Sequence, residues 1–262
     1  MATNPPSERR KKIEAIEREQ KTRRVVMYTI IAVVAVAVLV PIVWLIAANL
    51  APAPEPVSTP TAESTGAAAA SGAVSDSLHA AVFGDGKVEV DVFFDFMCPG
   101  CGSFESVNSA DLMQLVSEGA ITLRMHPMNF LDRLSQGTNY STRAANAFVA
   151  IARAEPDKAL QFADYLWHNQ PGENTEGLSD AEIAAYAQQA GVSQAVIDTF
   201  SELANADWIT ATTAYAWDEA GMESTPGLKV NGEIVAGLLD KPYTIDIMTP
   251  GVLKAELEKL NG

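Results

Sequence analysis

The feature that most constrains this chain is a pair of cysteines set between a strand pattern and a helix pattern. Lys87 to Asp95 reads KVEVDVFFD, with β-branched and aromatic residues that alternate at first and then run on without a break. That is the signature of a strand entering a buried position. It continues directly into Phe96-Met97-Cys98-Pro99-Gly100-Cys101. Apolar residues then recur at Phe104, Val107, Leu112, Leu115 and Val116, near helical spacing, and Gly119 is placed to end that helix. Ile121 to Met128 is a second strand pattern. The order strand, cysteine pair, helix, strand predicts an α/β domain with the two cysteines at the head of its first helix.

The rest of the domain reads as helices and then a hairpin. Ser141, Ser179 and Ser193 are candidate caps for helices from Thr142, Asp180 and Gln194, the last of them running through Leu203, and Pro156 opens another that runs to about Trp167. A final member covers about Trp208 to Gly221. Ser224-Thr225-Pro226 leads to Gly227–Val230, then Asn231-Gly232, then Glu233–Val235. Asn-Gly between two short apolar runs is a strong hairpin signal. Thr249-Pro250 starts a closing helix to Leu260. The folded domain is expected over 76–262, with an all-helical insertion at about 139–207.

The N-terminal part reads as an anchor and a tether. Val25 to Ala48 is an uncharged run of 24 residues. As a helix it is about 36 Å long, enough for a hydrocarbon core of about 30 Å. A cleaved leader is the alternative, since Ala51-Pro52-Ala53 offers small residues, but a leader core is only about 7–15 residues long. Residues 1–24 hold eight Lys/Arg and four Glu. They read as a basic stub that stays in the cytoplasm and leaves the domain outside the cell membrane. Residues 49–75 are rich in Ala, Pro, Ser and Thr and are expected to form a disordered linker.

Charge then narrows the partners. The chain has 18 basic and 33 acidic residues, so removing the stub leaves a formal charge of −19. Phosphates are repelled by such a surface, which argues against nucleic acid. Two cysteines exclude a disulfide-stapled scaffold and a four-cysteine zinc site. His79, His126 and His168 lack paired ligand spacing, so no metal site is expected. No cofactor motif is visible.

The cysteines can carry chemistry of their own. Disulfide exchange needs one accessible thiolate and a second thiol able to close the ring. Cys98 at a helix N-terminus meets free N–H groups and the positive end of the helix dipole. Cys101 follows one turn later. Pro99 suits the first turn because the N–H it lacks would have no partner there.

The segment VDVFFDFMCPGCGSFE resembles the active-site segment of the thioredoxin superfamily. It is most similar to DsbA-like thiol-disulfide oxidoreductases of the membrane-anchored bacterial type. Pro after the first Cys, a helical block before the Thr-Pro segment, and export all point to that group. The resemblance covers about Val74 to Gly262. It implies a thioredoxin-like fold, with Cys98–Cys101 as a redox-active disulfide and no other cofactor. It makes Pro226 a cis-proline facing the pair and puts Thr225 and Met97 against substrate, while Pro99 and Gly100 tune the pair. The implied partners are exported client proteins with free thiols and a membrane redox partner that resets the pair. Introduction of disulfides is the activity expected. Reductase or isomerase action is the alternative within the fold, and a tethered binding module with a structural disulfide is the alternative outside it.

Two departures from the family pattern stand out. Gly100 replaces the His common in oxidising relatives. Val92 occupies the position, six before the first Cys, where thioredoxins carry a buried acid, with Asp91 and Asp95 on either side. His126 is expected to be a satisfied strand-end residue, and Trp167, Trp208 and Trp217 to be core.

Overall fold

The computed structural model describes residues 73–237 and 244–262. The basic stub, the Val25–Ala48 span and almost all of the linker lie outside these residues. Among the described residues, no helix is long and apolar enough to cross a membrane.

Six strands form one mixed sheet: β1 (Ala73–Ser75), β2 (Ala80–Phe83), β3 (Val88–Phe94), β4 (Ile121–Pro127), β5 (Gly227–Val230) and β6 (Glu233–Ala236). Their spatial order is β1-β2-β4-β3-β5-β6. β3 and β4 are parallel, with Val90 opposite Leu123 and Phe94 opposite Pro127; the other pairs are antiparallel. Helix α1 (Pro99–Ser117) makes the crossover between the two parallel strands. Its N-terminus therefore sits at the carboxyl end of β3, near the middle of the sheet. β1 and β2 carry no strong sequence signal, and the sheet begins at Ala73, inside the stretch assigned to the linker.

Alternation along β3 divides the core. Val90, Val92 and Phe94 belong to the main cluster with Phe104, Leu112 and Leu115 of α1. Phe93 points to the opposite side and packs with Met128, Ala216, Ala220 and Met222. His126 stacks on Phe93 at 4.1 Å, with its ring nitrogens 3.0 Å from the His79 carbonyl and 3.1 Å from Asp91. It is a buried, satisfied residue.

The insertion comprises α2 (Tyr140–Ala154), α3 (Pro156–His168), α4 (Asp180–Gln189) and α5 (Gln194–Ile197), and α6 (Ala206–Asp218) follows them. The Ser179 cap is present: its hydroxyl accepts from Glu182 N–H, and the Glu182 carboxylate accepts from Ser179 N–H. Two other capping expectations are corrected. α2 starts at Tyr140, one residue before the expected cap Ser141, whose hydroxyl is used elsewhere. The helix expected from Ser193 to Leu203 breaks into α5 and a 3-10 turn at Phe200–Glu202, with Leu203 left-handed at φ +50°. The closing helix α7 (Val252–Asn261) opens after Gly251 rather than at Pro250.

The hairpin turn is Asn231-Gly232, with φ of +50° and +82°. Both values are left-handed, as a two-residue turn between twisted strands requires. A Cβ at Gly232 meets nothing within 4 Å, so a substitution there tests backbone strain alone. Gly232→Val is expected to cost about 1–2 kcal/mol in urea unfolding. Gly232→Asn is expected to cost less than half of that, and equal losses would contradict this account of the turn.

Candidate active site

The chain turns from β3 into α1 through Asp95, Phe96 and Met97. The Asp95 carbonyl accepts from Cys98 N–H at 3.0 Å. Cys98 is the N-cap of α1 in an extended conformation, with Pro99 in the first turn. The Cys98 carbonyl accepts from Cys101 N–H at 3.0 Å and Gly102 N–H at 3.2 Å. No acidic side chain sits in that turn to oppose a negative sulfur. Both cysteines are free thiols in this structure.

The two sulfurs are not equivalent. Cys98 keeps 8% exposure and Cys101 none. The Cys98 thiol is pulled down to about 6, first because Cys101 S–H donates to it. The Thr225 hydroxyl, 3.2 Å from Cys98 Sγ, and the N–H groups of Cys101 and Gly100 add to this, while partial burial works against it. Burial pushes Cys101 well above its ordinary value, and the proton it shares with Cys98 holds it there. At neutral pH Cys98 therefore favours the thiolate while Cys101 keeps its proton.

Facing the pair is the loop before β5. The Thr225–Pro226 peptide bond is cis. Gly237 O accepts from Glu223 N–H and Ser224 N–H at 2.8 and 3.0 Å, which ties the loop to the end of β6. The Thr225 carbonyl lies 3.6 Å from Cys98 Sγ. A Cβ on Gly100 would come within 3.2 Å of Pro226 Cδ and 3.4 Å of the Thr225 carbonyl. The missing side chain at Gly100 therefore admits a close approach, besides withholding a charge.

Of the two acids flanking Val92, Asp95 is the one that lies beside the cysteine turn. Val92 is core, and Asp91 sits beside His126 and Arg124. Asp95 has no exposed surface. Its carboxylate accepts from Met97 N–H (2.9 Å), Leu131 N–H (3.0 Å) and Ser141 O–H (2.6 Å). Burial nonetheless raises it to about 7, with those three donors opposing the rise and the neighbouring Cys98 adding to it. A raised carboxyl stabilises the fold fully below the ordinary carboxylate range, and that contribution is lost as pH climbs through about 7. A charge inside the run Phe93-Phe94-Asp95-Phe96 was the available signal, since a buried carboxylate needs partners.

Two expectations are corrected. Met97 has no exposed surface and cannot touch a substrate; it is core, and its N–H orients Asp95. Trp208 and Trp217 are only partly buried, so neither is simply core, and Trp217 also lies at the site. With Phe130, Leu131, Arg133 and Thr225 it lines an open groove of about 690 Å³ that reaches Cys98.

Comparisons with known proteins agree with this architecture. Residues 82–247 match the family model described as Thioredoxin. Over 128 residues, 47% of this chain, the sequence is 35% identical to the serine/threonine-protein kinase PknE of Mycobacterium tuberculosis. The match spans 22% of that kinase, so the chain covers a minor part of its relative's length. DsbA of Mycobacterium tuberculosis, in its oxidized form, superposes with a TM-score of 0.56 at 26% identity, covering 67% of this chain and 84% of that one. MdbA, a thiol-disulfide oxidoreductase from Corynebacterium diphtheriae, superposes with a TM-score of 0.57 at 21% identity, covering 73% and 93%. At that identity the likeness speaks to the fold.

The site's electrostatics are open to direct measurement. Alkylation of Cys98 by iodoacetamide is expected to follow an apparent pKa of about 6. Thr225→Val removes a hydroxyl donor and is expected to slow alkylation at pH 6 by about three- to five-fold, with little change at pH 8.5. Equal slowing at both pH values would mean that the hydroxyl does not act on the thiolate.

Proposed function

The chain belongs to the thioredoxin family, and from that premise we propose that it is a thiol-disulfide oxidoreductase of the DsbA type. The observation that carries this reading is the asymmetry of the pair. A thiol held near 6 stands at a helix N-terminus, beside a buried thiol that keeps its proton, and faces an open groove. A stabilised Cys98 thiolate favours the reduced pair, which makes the disulfide a ready acceptor of electrons. We therefore propose that the pair introduces disulfides into clients.

In that reaction a client thiolate attacks Cys98 Sγ of the Cys98–Cys101 disulfide. A client–Cys98 bond forms, and Cys101 leaves with the electron pair and takes up a proton. Asp95, protonated below about 7 and close enough to Cys98 to feel its charge, is the proposed relay: it gives up its proton and regains one from the client thiol that ionised. A second client thiolate then attacks the client sulfur of the mixed disulfide and releases Cys98. The client has lost two electrons and two protons. Cys101 retains one proton, and the other passes to solvent because Cys98 remains a thiolate. Thr225 is the proposed docking position for an extended client segment, with Phe130 and Trp217 receiving apolar side chains along the groove.

The proposed location is outside the cell membrane. Val25–Ala48 would hold the domain there, the linker would give it reach, and exported proteins with free thiols would be its clients. Since the chain has only two cysteines, a membrane redox partner would restore the disulfide.

Single-turnover oxidation of a reduced two-cysteine client tests the reading. Cys98→Ser is expected to lower the rate at least about a hundred-fold. Cys101→Ser, mixed with an oxidised client, is expected to accumulate adducts linked through Cys98. A Cys98→Ser chain oxidising the client at the wild-type rate would sink the proposal and favour a binding module.

A further inference from the structure

Against the cysteine turn lies a side chain that neither sequence motif nor mechanism has used. Gln170 follows the end of α3, in the helical insertion. Its Nε2 donates to the Phe96 carbonyl at 3.0 Å and to the Cys98 carbonyl at 2.9 Å. One amide group thus holds both ends of the three-residue segment that delivers the nucleophile. It also lies against α1. A Cβ on Gly102 would come within 2.3 Å of Gln170 Oε1 and 3.0 Å of Cδ.

We infer that Gln170 is a positioning residue for the nucleophile: its amide pins the carbonyls of Phe96 and Cys98, and Gly102 is glycine because that amide occupies the space of its side chain. The physical reason is local. Carbonyl oxygens beside an anionic sulfur present it with negative charge, and a donor on each oxygen offsets that charge and fixes its direction. The same bonds keep the first turn of α1 wound, so the Gly100 and Cys101 N–H groups stay aimed at Cys98 Sγ. Loss of the amide takes a donor from both carbonyls, leaving the Cys98 carbonyl only its two helix N–H groups, and loosens the first turn. The helical insertion then contributes to the chemistry through Gln170, remote in sequence from either cysteine.

This inference rests on Cys98 being the attacking thiol, and the test separates the two. The full chain, reduced, is alkylated with iodoacetamide at pH 6 and at pH 8.5, for wild type, Gln170→Met, Gly102→Ala and the double variant. Gln170→Met keeps the length of the side chain and removes its donors. It is expected to slow Cys98 alkylation at pH 6 at least three-fold and to leave the rate at pH 8.5 within a factor of 1.5 (about the change expected for a one-unit rise in a thiol that is fully ionised at the higher pH). Gly102→Ala displaces the amide and is expected to reproduce that pattern, so it carries the test alone if Gln170→Met does not fold. The double variant is expected to be no slower than Gln170→Met, because the two changes remove one interaction. A wild-type ratio of the two rates in both single variants, even with lowered unfolding midpoints, would make Gln170 a purely structural clasp and overturn the inference. A wild-type chain with no titration near pH 6 would overturn the reading of Cys98 as well.

Discussion

Everything at this site depends on two sulfurs one helical turn apart having different surroundings. The sequence Cys-Pro-Gly-Cys gives them nearly the same covalent context. The fold separates them: Cys98 caps the helix and Cys101 is buried beneath it. Donors outweigh partial burial at Cys98, while at Cys101 full burial outweighs the Asp95 backbone and the Thr225 hydroxyl, so the proton they share belongs to Cys101. The open groove beside Cys98 and the buried carboxyl of Asp95 matter because of that asymmetry. Were both thiols equally exposed, the groove would have no preferred nucleophile to present.

The helical insertion takes part in this arrangement. Its first helix supplies Ser141, which donates to the Asp95 carboxylate at 2.6 Å and so restrains the rise that burial imposes. The segment leading into it supplies Phe130 and Leu131 to the groove, and Leu131 N–H is a second donor to Asp95. The Thr225–Pro226 loop closes the opposite side, held by Gly237. Three stretches far apart in sequence therefore meet around one turn of helix, and the parallel pair β3–β4 is what places that turn at the middle of the sheet.

Much of this was legible beforehand, for identifiable reasons. Strong local signals gave β3, α1, β4 and the Asn231-Gly232 hairpin, because hydrophobic period and turn chemistry act within a few residues. The positions of Cys98, Cys101 and Pro226 followed from motif and resemblance. What stayed hidden depended on contacts across the chain. β1 and β2 are short and exist by pairing in the sheet. Ser141 looked like a cap because Ser favours that place, but Asp95 outcompetes the helix for its hydroxyl. Met97 looked exposed next to a reactive residue, yet the turn rotates it inward. Trp217 has the helical spacing of a core residue, but the groove beside Cys98 runs past it. Asp95 showed as an odd charge in an apolar strand, but nothing local revealed which groups would satisfy it.

The most direct test of the account is the reduction potential of the Cys98–Cys101 pair. The chain is equilibrated in glutathione buffers of known ratio, and free thiols are counted by alkylation and mass. A low thiol value for Cys98 and a stabilised reduced form predict a potential between about −120 and −180 mV, the span from DsbA to protein disulfide isomerase. A value near or below about −270 mV, that of thioredoxin, would contradict the oxidase reading and make the pair a reductant.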